Sequence, residues 1–394
     1  MSMNVAIYAA PASLDGLRRR SLVAGIAGLV VAGTGAFMNP GQFFHSYLLA
    51  FLFWLGAALG GLVLTMLHHT TGGKWGVVLR RIFEAAAGTI PWMALLFVPI
   101  VFGMSHLYPW IDADVMAADH LLQEKALYLN GPFFVARAAL YFAIWVGLAF
   151  FLSTWSAQQD RTGDASLTKR MTGLSAAGLV LYAFTMTFAA IDWGMSLDPH
   201  WFSTMYGFLF MIGQAIMGLS IAIIVAKRLS GEAPMAAVFN DGHWHDLGKL
   251  LFAFAMVWTY LTFSQFLIIW SANLPEEIPW YMRRISHGWQ YLAIGLVVFH
   301  FLVPFVVLMS RRTKRNSTVL AWMAMWMIVA RLLDVFFLIG PDASAGSLTI
   351  HWIDVAALVG LGGIWLALFT SNLMGRALLP VRDPELASAL KAES

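Results

Sequence analysis

Long apolar stretches recur along the chain, and charged residues gather between them. A helix needs about 20 apolar residues to cross the hydrocarbon core of a bilayer. Ten stretches meet this requirement, at approximately 21–38, 47–67, 88–107, 133–153, 171–191, 203–226, 248–270, 288–309, 318–340 and 351–372. The third contains Pro91 and Pro99, which membrane helices tolerate where neighbouring groups satisfy the freed carbonyls. The pattern predicts an all-α polytopic membrane protein with ten transmembrane helices.

A short polar segment lies at each end of this apolar region. We predict a cytoplasmic N-terminal segment at 1–20, a ten-span membrane domain at 21–372 and a cytoplasmic tail at 373–394. The first stretch follows a run of arginines but lacks a small-residue cleavage site, so we expect a retained span rather than a removed signal.

Composition removes several classes of function. Only 11% of the residues are charged, against about 25% in soluble domains, which excludes a water-soluble globular enzyme. The chain has no cysteine, which excludes disulfides, thiolate-bound zinc, cysteine-ligated iron–sulfur clusters and covalent haem on this chain. It also lacks the nucleotide-binding pattern Gly-x4-Gly-Lys-Ser/Thr, so we expect no nucleotide hydrolysis. We also expect no nucleic-acid partner.

The basic residues predict the orientation of the spans. Cytoplasmic loops of membrane proteins carry an excess of Lys and Arg. With the N-terminus in the cytoplasm, only Lys125, Arg137, Arg283 and Arg284 of the 24 basic residues fall outside, and Arg331 lies within a span. Both termini are therefore predicted to be cytoplasmic.

A short pattern occurs twice, in two loops on the predicted outer side. Residues 196–201 and 347–352 both read Ser-Leu-x-x-His-Trp, and each leads into the outer end of a span. The two copies are four spans apart, and an even number of spans preserves orientation. We therefore predict two parallel four-helix bundles, spans 2–5 and spans 6–9, with spans 1 and 10 flanking them.

Ionisable side chains within the apolar stretches need a physical reason, because each costs at least about 2.5–3.5 kcal/mol at the membrane centre. Arg331 and Asp334 are three residues apart on one helical face, so they either neutralise each other or form a proton-accepting pair. We expect Asp192 to occupy the matching point of the first bundle, and Glu84, beside span three, to form an inner entrance. The further candidates for a proton path are Asp198, His200, His351, Asp354, Glu276, Glu277, His300 and His69.

Histidine placement argues against a bound haem or metal. His300 lies deepest, and no other histidine lies at a similar depth, so a bis-histidine haem is not expected. His300 is then either a hydrogen-bonded packing residue or part of a proton chain. His243, His245 and Asp246 offer loose metal ligands, but a hydrated loop explains them better, and we predict no metal site.

Span seven is unusually rich in polar side chains. These are Thr259, Tyr260, Thr262, Ser264 and Gln265. Polar groups in a membrane helix generally face other helices. They either support a chain of bound waters that conducts protons or hold the bundle together, and the sequence leaves both open.

Two longer stretches resemble a known family. Residues 192–207, with the sequence DWGMSLDPHWFSTMYG, and residues 263–277, with the sequence FSQFLIIWSANLPEE, resemble the ActF-type membrane subunits of bacterial alternative complex III. These subunits are similar to the wider NrfD/PsrC-like family, which is built from paired four-helix bundles. The resemblance implies a membrane subunit of a quinol:electron-acceptor oxidoreductase in the bacterial inner membrane.

The resemblance also implies partners and cofactors. The expected partners are an ActC-like membrane paralogue, an iron–sulfur subunit, multihaem cytochrome c subunits, other small membrane subunits and a terminal oxidase. Haem and iron–sulfur centres are expected in those partners, and this chain is expected to hold no redox cofactor and no catalytic residue of its own. Its candidate ligands are a quinone, either menaquinone or ubiquinone, and lipids, with His106, Trp110 and His287 as candidate quinone-binding residues.

Three functions remain open at the level of sequence. The first is a structural or proton-conducting subunit of such a complex. The second is a quinol-binding subunit with its own site. The third is a secondary transporter, which ten spans with an internal repeat also favour, although the polar groups crowd the outer helix ends rather than the midplane.

Overall fold

The computed structural model describes residues 10–343 and 347–386. Within them ten helices are long and apolar enough to cross a membrane, which confirms the predicted all-α polytopic architecture. In chain order the spans are Ser13–Met38, Pro40–Thr71, Lys74–Phe102, Gly131–Thr162, Ser166–Leu197, Tyr206–Leu229, Asp241–Ala272, Trp289–Met309, Ser317–Asp342 and Trp352–Met374. We call the membrane face where span 1 begins and span 10 ends the terminal face, and the opposite one the loop face.

Several helices extend beyond the predicted apolar stretches. Span 1 begins at Ser13, so part of the segment predicted at 1–20 is helical, while residues 1–9 lie outside the described residues. Span 3 begins at Lys74, which places Glu84 within the span rather than beside it. A hydropathy pattern stops at charged residues, but a helix continues through them when their side chains are paired or reach the interface.

Two spans are not regular helices throughout. Span 3 consists of the segments Lys74–Ala87, Ile90–Leu96 and Val98–Phe102, with prolines at the start of the last two. Span 8 changes to a π-helix at Val297–Leu302 before it continues as Val303–Met309. Such π segments are rare and often lie at functional sites.

The connections outside the spans contain short helices and turns. On the loop face these are Met104–Leu107, Pro109–Ile111, Ala113–Ala118, His120–Lys125 and Ile278–Arg284. On the terminal face they are Met235–Ala237 and Arg311–Arg315.

Helix packing yields the two groups that the repeat predicts. In the first bundle, spans 2 and 4 each pack against spans 3 and 5, and in the second, spans 6 and 8 each pack against spans 7 and 9. Span 2 packs against span 6 and so joins the bundles. The superposition of 196–201 on 347–352 stays a prediction, and residues 344–346, just before the second copy, lie outside the described residues.

Glycines allow the closest helix contacts. A Cβ atom on Gly60 would lie 2.2 Å from the carbonyl oxygen of Gln214, where span 2 crosses span 6. A Cβ atom on Gly28 would lie 2.6 Å from the backbone nitrogen of Gly360, where span 1 packs along span 10. Small residues at helix crossings let backbones approach and gain dispersion contacts, which drive association where lipid removes the hydrophobic effect.

The chain after span 10 folds back onto the terminal face. Leu378, Leu379 and Leu386 are buried, and a buried ion pair of 2.5 Å joins Asp383 to Arg80 in span 3. The predicted tail at 373–394 is thus part of the packed fold up to residue 386, and residues 387–394 lie outside the described part.

Candidate functional site

The second bundle contains a cavity of about 470 Å³. Its walls come from spans 6 to 9 and the helix Ile278–Arg284, and most of them are aromatic or aliphatic. Phe263 and Phe266 of span 7 and Val297 of span 8 line the cavity and are 58%, 43% and 55% exposed. The cavity therefore opens sideways between spans 7 and 8, towards the lipid side of the protein.

A small set of polar groups reaches this apolar cavity. The hydroxyl of Thr262 is buried and has no hydrogen-bond partner among the described residues. The amide of Gln265 accepts a hydrogen bond from Ser203 at 2.8 Å and donates one to the Tyr281 hydroxyl at 3.3 Å. Burial raises the pKa of Tyr281 to about 12, so its hydroxyl keeps its proton at neutral pH. The cavity thus offers a free hydroxyl and a protonated phenol to a ligand.

Of the predicted pair Arg331–Asp334, Asp334 lines the cavity. Both side chains are buried, and the guanidinium of Arg331 forms an ion pair with Oδ2 of Asp334. The indole of Trp258 donates to the same oxygen at 3.2 Å. Arg331 fits because span 6 has a glycine opposite: a Cβ atom on Gly213 would lie 2.2 Å from its Cζ.

His300 completes this group, which we call the Asp334 cluster: Asp334, Arg331, Trp258 and His300. The His300 ring stacks on Trp258 with 3.8 Å between ring centroids and lies in the π-helical segment of span 8. It is fully buried, and neither ring nitrogen has a hydrogen-bond partner in the part of the chain that the structure describes. A buried imidazole without partners is costly, which favours a polar occupant beside it.

A polar contact between spans 5 and 6 lies beside the Asp334 cluster. The Tyr182 hydroxyl of span 5 donates to Gln214 of span 6, which follows Gly213 directly. The Gln214 amide also contacts the sulfur of Met186 at 3.1 Å. Polar side chains thus cross the bundle interface at the level of Arg331.

The first bundle holds its own buried ion pair, formed by residues of spans 4 and 5. Asp192 is fully buried and accepts two hydrogen bonds of 2.8 Å from Arg137 and a third of 2.8 Å from Tyr141. Every oxygen of this carboxylate is engaged.

That Asp192 occupies the point matching Asp334 stays a prediction, and the contacts of the two acids differ. Asp192 pairs near the loop-face end of span 5 with an arginine at the start of span 4. In the second bundle the residue at the end of span 9 is Asp342, which pairs at 2.7 Å with Arg284, just before span 8. Asp334 lies two helical turns further into the span.

A recess of about 830 Å³ on the loop face gathers several predicted proton-path residues. Asp198 pairs with Arg283, which also contacts Asp342 at 3.5 Å, and His200 pairs with Asp119 at 2.6 Å. His287 lines the same recess, whereas Glu276 is exposed outside it. Glu277 is buried, and its Oε2 has no partner among the described residues.

The predicted pair His351 and Asp354 caps span 10. The backbone nitrogen of His351 donates to Asp354 at 2.8 Å, and the other carboxylate oxygen accepts from Ser46 at 2.5 Å and from Gln42 at 3.3 Å. These contacts satisfy free N–H groups at the helix start and tie span 10 to span 2.

The three predicted quinone-binding residues lie apart from one another. His106 is exposed and stacks on Phe44 at 5.3 Å, whereas Trp110 is buried and donates to the carbonyl of Ser196 at 3.2 Å. His287 lies in the loop-face recess. None of the three lines the cavity of the second bundle.

Glu84 lines a cavity of about 420 Å³ near the terminal face. It pairs with Arg81 at 2.5 Å and approaches Arg376 at 3.6 Å, and its Oε1 has no hydrogen-bond partner within the described ranges. His69, the other predicted group on this side, contacts the hydroxyl of Ser175 at 3.1 Å. Glu84 and His69 lie in spans 3 and 2 of the first bundle.

The structure also places the residues weighed as a loose metal site. His243 lies in the first turn of span 7 and forms a capping box with Asn240, so this region is helix rather than loop. Within residues 10–343 and 347–386, no group of three or more His, Cys, Asp or Glu side chains is arranged to hold a metal ion.

Two residues of the site, Trp258 and Tyr281, escaped the sequence analysis. Trp258 could have been found, because it lies on one helical face with Thr262 and Gln265, at the spacing i, i+4 and i+7, away from the exposed Tyr260. Tyr281 could not be found this way, because it enters the cavity from a short loop-face helix.

Comparison with known proteins does not identify a family for this chain. No protein-family model matches the chain, and no curated protein matches it either.

Proposed function

We propose that this chain is a membrane subunit of a quinol:electron-acceptor oxidoreductase of the alternative complex III type, without a redox group of its own, and that it conducts protons. The observation that carries the proposal is the Asp334 cluster, a carboxylate, a guanidinium, an indole and an unpartnered imidazole buried together in a bundle. The stretches 192–207 and 263–277, which resemble ActF-type subunits, support the assignment to this class of complex.

The energetic argument concerns the carboxylate. A charged side chain in the membrane is costly, and in transporters and pumps such groups mark proton relays. Asp334 is neutralised by Arg331 through Oδ2 and also lines an open cavity. A carboxylate placed in this way accepts a proton from the cavity side when the ion pair loosens and returns it when the pair re-forms.

The remaining polar groups support a route through the molecule. Tyr182 and Gln214 lead from the Asp334 cluster into the first bundle, where Glu84 lines a cavity near the terminal face. Arg283, Asp198 and the recess around them lie at the loop face. In our proposal both termini face the cytoplasm of the bacterial inner membrane, so Glu84 is the inner entrance.

The partners in this proposal are an ActC-like paralogue, an iron–sulfur subunit, multihaem cytochrome c and other small membrane subunits, with a terminal oxidase as a further associate. Gentle purification from the native membrane followed by identification of the co-purifying chains tests it. We expect haem-containing chains in stoichiometric amount. Recovery of this chain alone would overturn the assignment to a complex.

The proton role is tested by Asp334→Asn in the assembled complex. The amide keeps the shape but cannot exchange a proton, so we expect quinol turnover and proton release into vesicles to fall by about tenfold or more. The matched control is Asp383→Asn, which also removes a buried carboxylate paired with arginine, but at the terminal face. Full turnover with unchanged proton release in Asp334→Asn makes Asp334 a structural ion-pair partner only.

A second candidate function, quinol binding by this chain itself, is favoured by the cavity of the second bundle. Its apolar walls, lateral opening and few polar groups suit a ligand with a hydroxylated ring and an apolar tail. Thr262 and Tyr281 would bind the ring hydroxyls, and the side opening would admit the ligand from the lipid. We expect a short-tailed naphthoquinol to quench the fluorescence of Trp258 and Trp280, whose rings line the cavity.

A secondary transporter is less well supported. Transporters with internal repeats place broken helices at corresponding positions of the two halves. Here span 3 is broken, but its counterpart, span 7, is a continuous helix from Asp241 to Ala272.

A further inference from the structure

A separate groove lies between spans 1, 3 and 10, close to the terminal face. Its volume is about 590 Å³, and its walls include Leu22, Trp92, Leu95 and Leu368. The first three of these side chains are 44%, 49% and 61% exposed. The groove is thus an apolar crevice on the outside of the protein, at the depth where span 1 passes from charged to apolar residues.

The mouth of the groove is basic. Arg18 and Arg19 line it, and both contact the carboxylate of Asp15, at 2.7 Å and 2.8 Å. Two guanidinium groups therefore share one carboxylate, which leaves a net positive charge. Their side chains remain 41% and 76% exposed, so both have donor groups available for another anion.

We propose that this groove is a binding site for an anionic glycerophospholipid of the leaflet at the terminal face. The headgroup phosphate accepts hydrogen bonds from Arg18 and Arg19, and an acyl chain lies along Leu22, Trp92 and Leu95. Arginine matches phosphate because its planar fork donates two parallel hydrogen bonds. Selective binding of an anionic lipid needs both the two arginines and the apolar crevice. The arginines without the crevice would form only a charged surface, and the crevice without the arginines would accept the acyl chain of any lipid.

The site is independent of the proposed proton and quinol functions. It lies on the outer surface, between span 3 of the first bundle and the pair formed by spans 1 and 10, and it shares no residue with the Asp334 cluster or the cavity of the second bundle. Close contacts such as Gly28 against Gly360 hold spans 1 and 10 together. A lipid there fills the space between this pair and span 3, so we expect it to stabilise the packing of span 1.

The experiment uses the purified full-length chain, stripped of lipid, with phosphatidylglycerol and phosphatidylcholine as probes and native mass spectrometry as the readout. We expect one tightly retained phosphatidylglycerol. The double variant Arg18→Gln/Arg19→Gln should weaken its retention by about 10- to 30-fold. The matched control, Arg311→Gln/Arg312→Gln, removes two exposed arginines from the same face away from the groove and should change retention by less than about twofold.

A second variant keeps the test valid if the arginine substitutions disturb folding. Leu22→Trp fills the crevice from an exposed position and should weaken retention while both arginines remain. Equal retention of phosphatidylcholine, an equal loss in the Arg311/Arg312 control, or displacement of the lipid by inorganic phosphate at the same concentration would each overturn the proposal. Retention that is specific for phosphatidylglycerol and lost in both groove variants supports it.

Discussion

The two bundles share one scheme of helix packing but differ in what fills them. In the first bundle the Trp193 ring lies 4.8 Å from that of Phe97, 5.7 Å from that of Phe142 and 5.9 Å from that of Trp145. In the second bundle the rings of Phe263, Phe301 and others surround an open cavity. The same arrangement of four helices therefore encloses a packed aromatic core around Trp193 in the first bundle and a ligand-sized space beside Asp334 in the second, while the cavity beside Glu84 lies near the terminal face, between spans 3, 4 and 10.

The buried acids differ in the same way. Asp192 accepts three hydrogen bonds and has no oxygen left for a ligand. The contacts of Asp334 with Arg331 and Trp258 both use Oδ2, and the residue borders the cavity. In our proposal the first bundle is anchored by Asp192 and supplies the entrance at Glu84, and the second bundle holds the acid that exchanges a proton, Asp334.

The largest expected effect is the loss of stability when the first bundle's ion pair is broken. Arg137→Gln leaves Asp192 as an unpaired buried charge, which costs about 3–5 kcal/mol. We expect a large fall in the unfolding temperature of the protein in detergent. Intrinsic tryptophan fluorescence measures this temperature. The control is Arg283→Gln, whose side chain is 44% exposed and whose surface ion pair contributes at most about 1 kcal/mol. Equal shifts for the two variants would contradict the assignment of Asp192 as a structural anchor.

Enlarging one small residue in each bundle compares the two interiors directly. Ala138 lies in the packed core of span 4, so Ala138→Phe overpacks it and should cost about 1–3 kcal/mol. Ala293 lines the cavity on span 8, the counterpart of span 4, so Ala293→Phe should cost little and abolish quenching by the naphthoquinol. Equal destabilisation by the two changes, measured by thermal unfolding, means that the cavity is not an open space.

Removing one hydroxyl from each bundle should have opposite effects. Thr185 accepts a hydrogen bond of 2.8 Å from Trp145 in the first bundle, so Thr185→Val should cost about 1 kcal/mol or more. The buried hydroxyl of Thr262 has no such partner among the described residues, so Thr262→Val should leave the stability unchanged or raise it. The same variant should weaken naphthoquinol binding about fivefold, the effect of one hydrogen bond. Unchanged binding would remove Thr262 from the site.

The smallest expected effect belongs to an exposed ion pair on the loop face. Burial acts to raise the pKa of Asp119, but hydrogen bonds from the Leu122 backbone and from His200 outweigh it and lower that pKa. A carboxyl whose pKa is lowered by folding adds stability above its unfolded pKa and loses it as pH falls through the folded pKa. Asp119→Asn should therefore lower the unfolding temperature slightly at neutral pH, and this difference should disappear as pH falls through the lowered pKa of Asp119 in the folded protein. If the variant and the unchanged protein still differ in unfolding temperature in acid, the effect does not come from the charge of Asp119.

Part of the candidate site was accessible from the sequence because membrane burial penalises charge. Arg331 and Asp334 stand out in an apolar stretch, and their spacing of three residues predicts the contact that the structure contains. The partners Trp258 and His300 come from spans 7 and 8, and no local pattern brings them to Asp334. Only the packing of three helices, with Gly213 opposite Arg331, decides that they meet.

The sequence by itself determined the number of spans, because a bilayer of fixed thickness demands apolar stretches of fixed length. It also determined the grouping of those spans, through the repeated Ser-Leu-x-x-His-Trp pattern. The tertiary structure alone decided where helices continue through charged residues such as Arg81 and Glu84, since their burial depends on partners distant in the chain, Asp160 and Arg376. It alone decided where the cavity beside Asp334 lies, because a cavity is the volume left between side chains of several helices, and hydropathy along one helix carries no information about that volume.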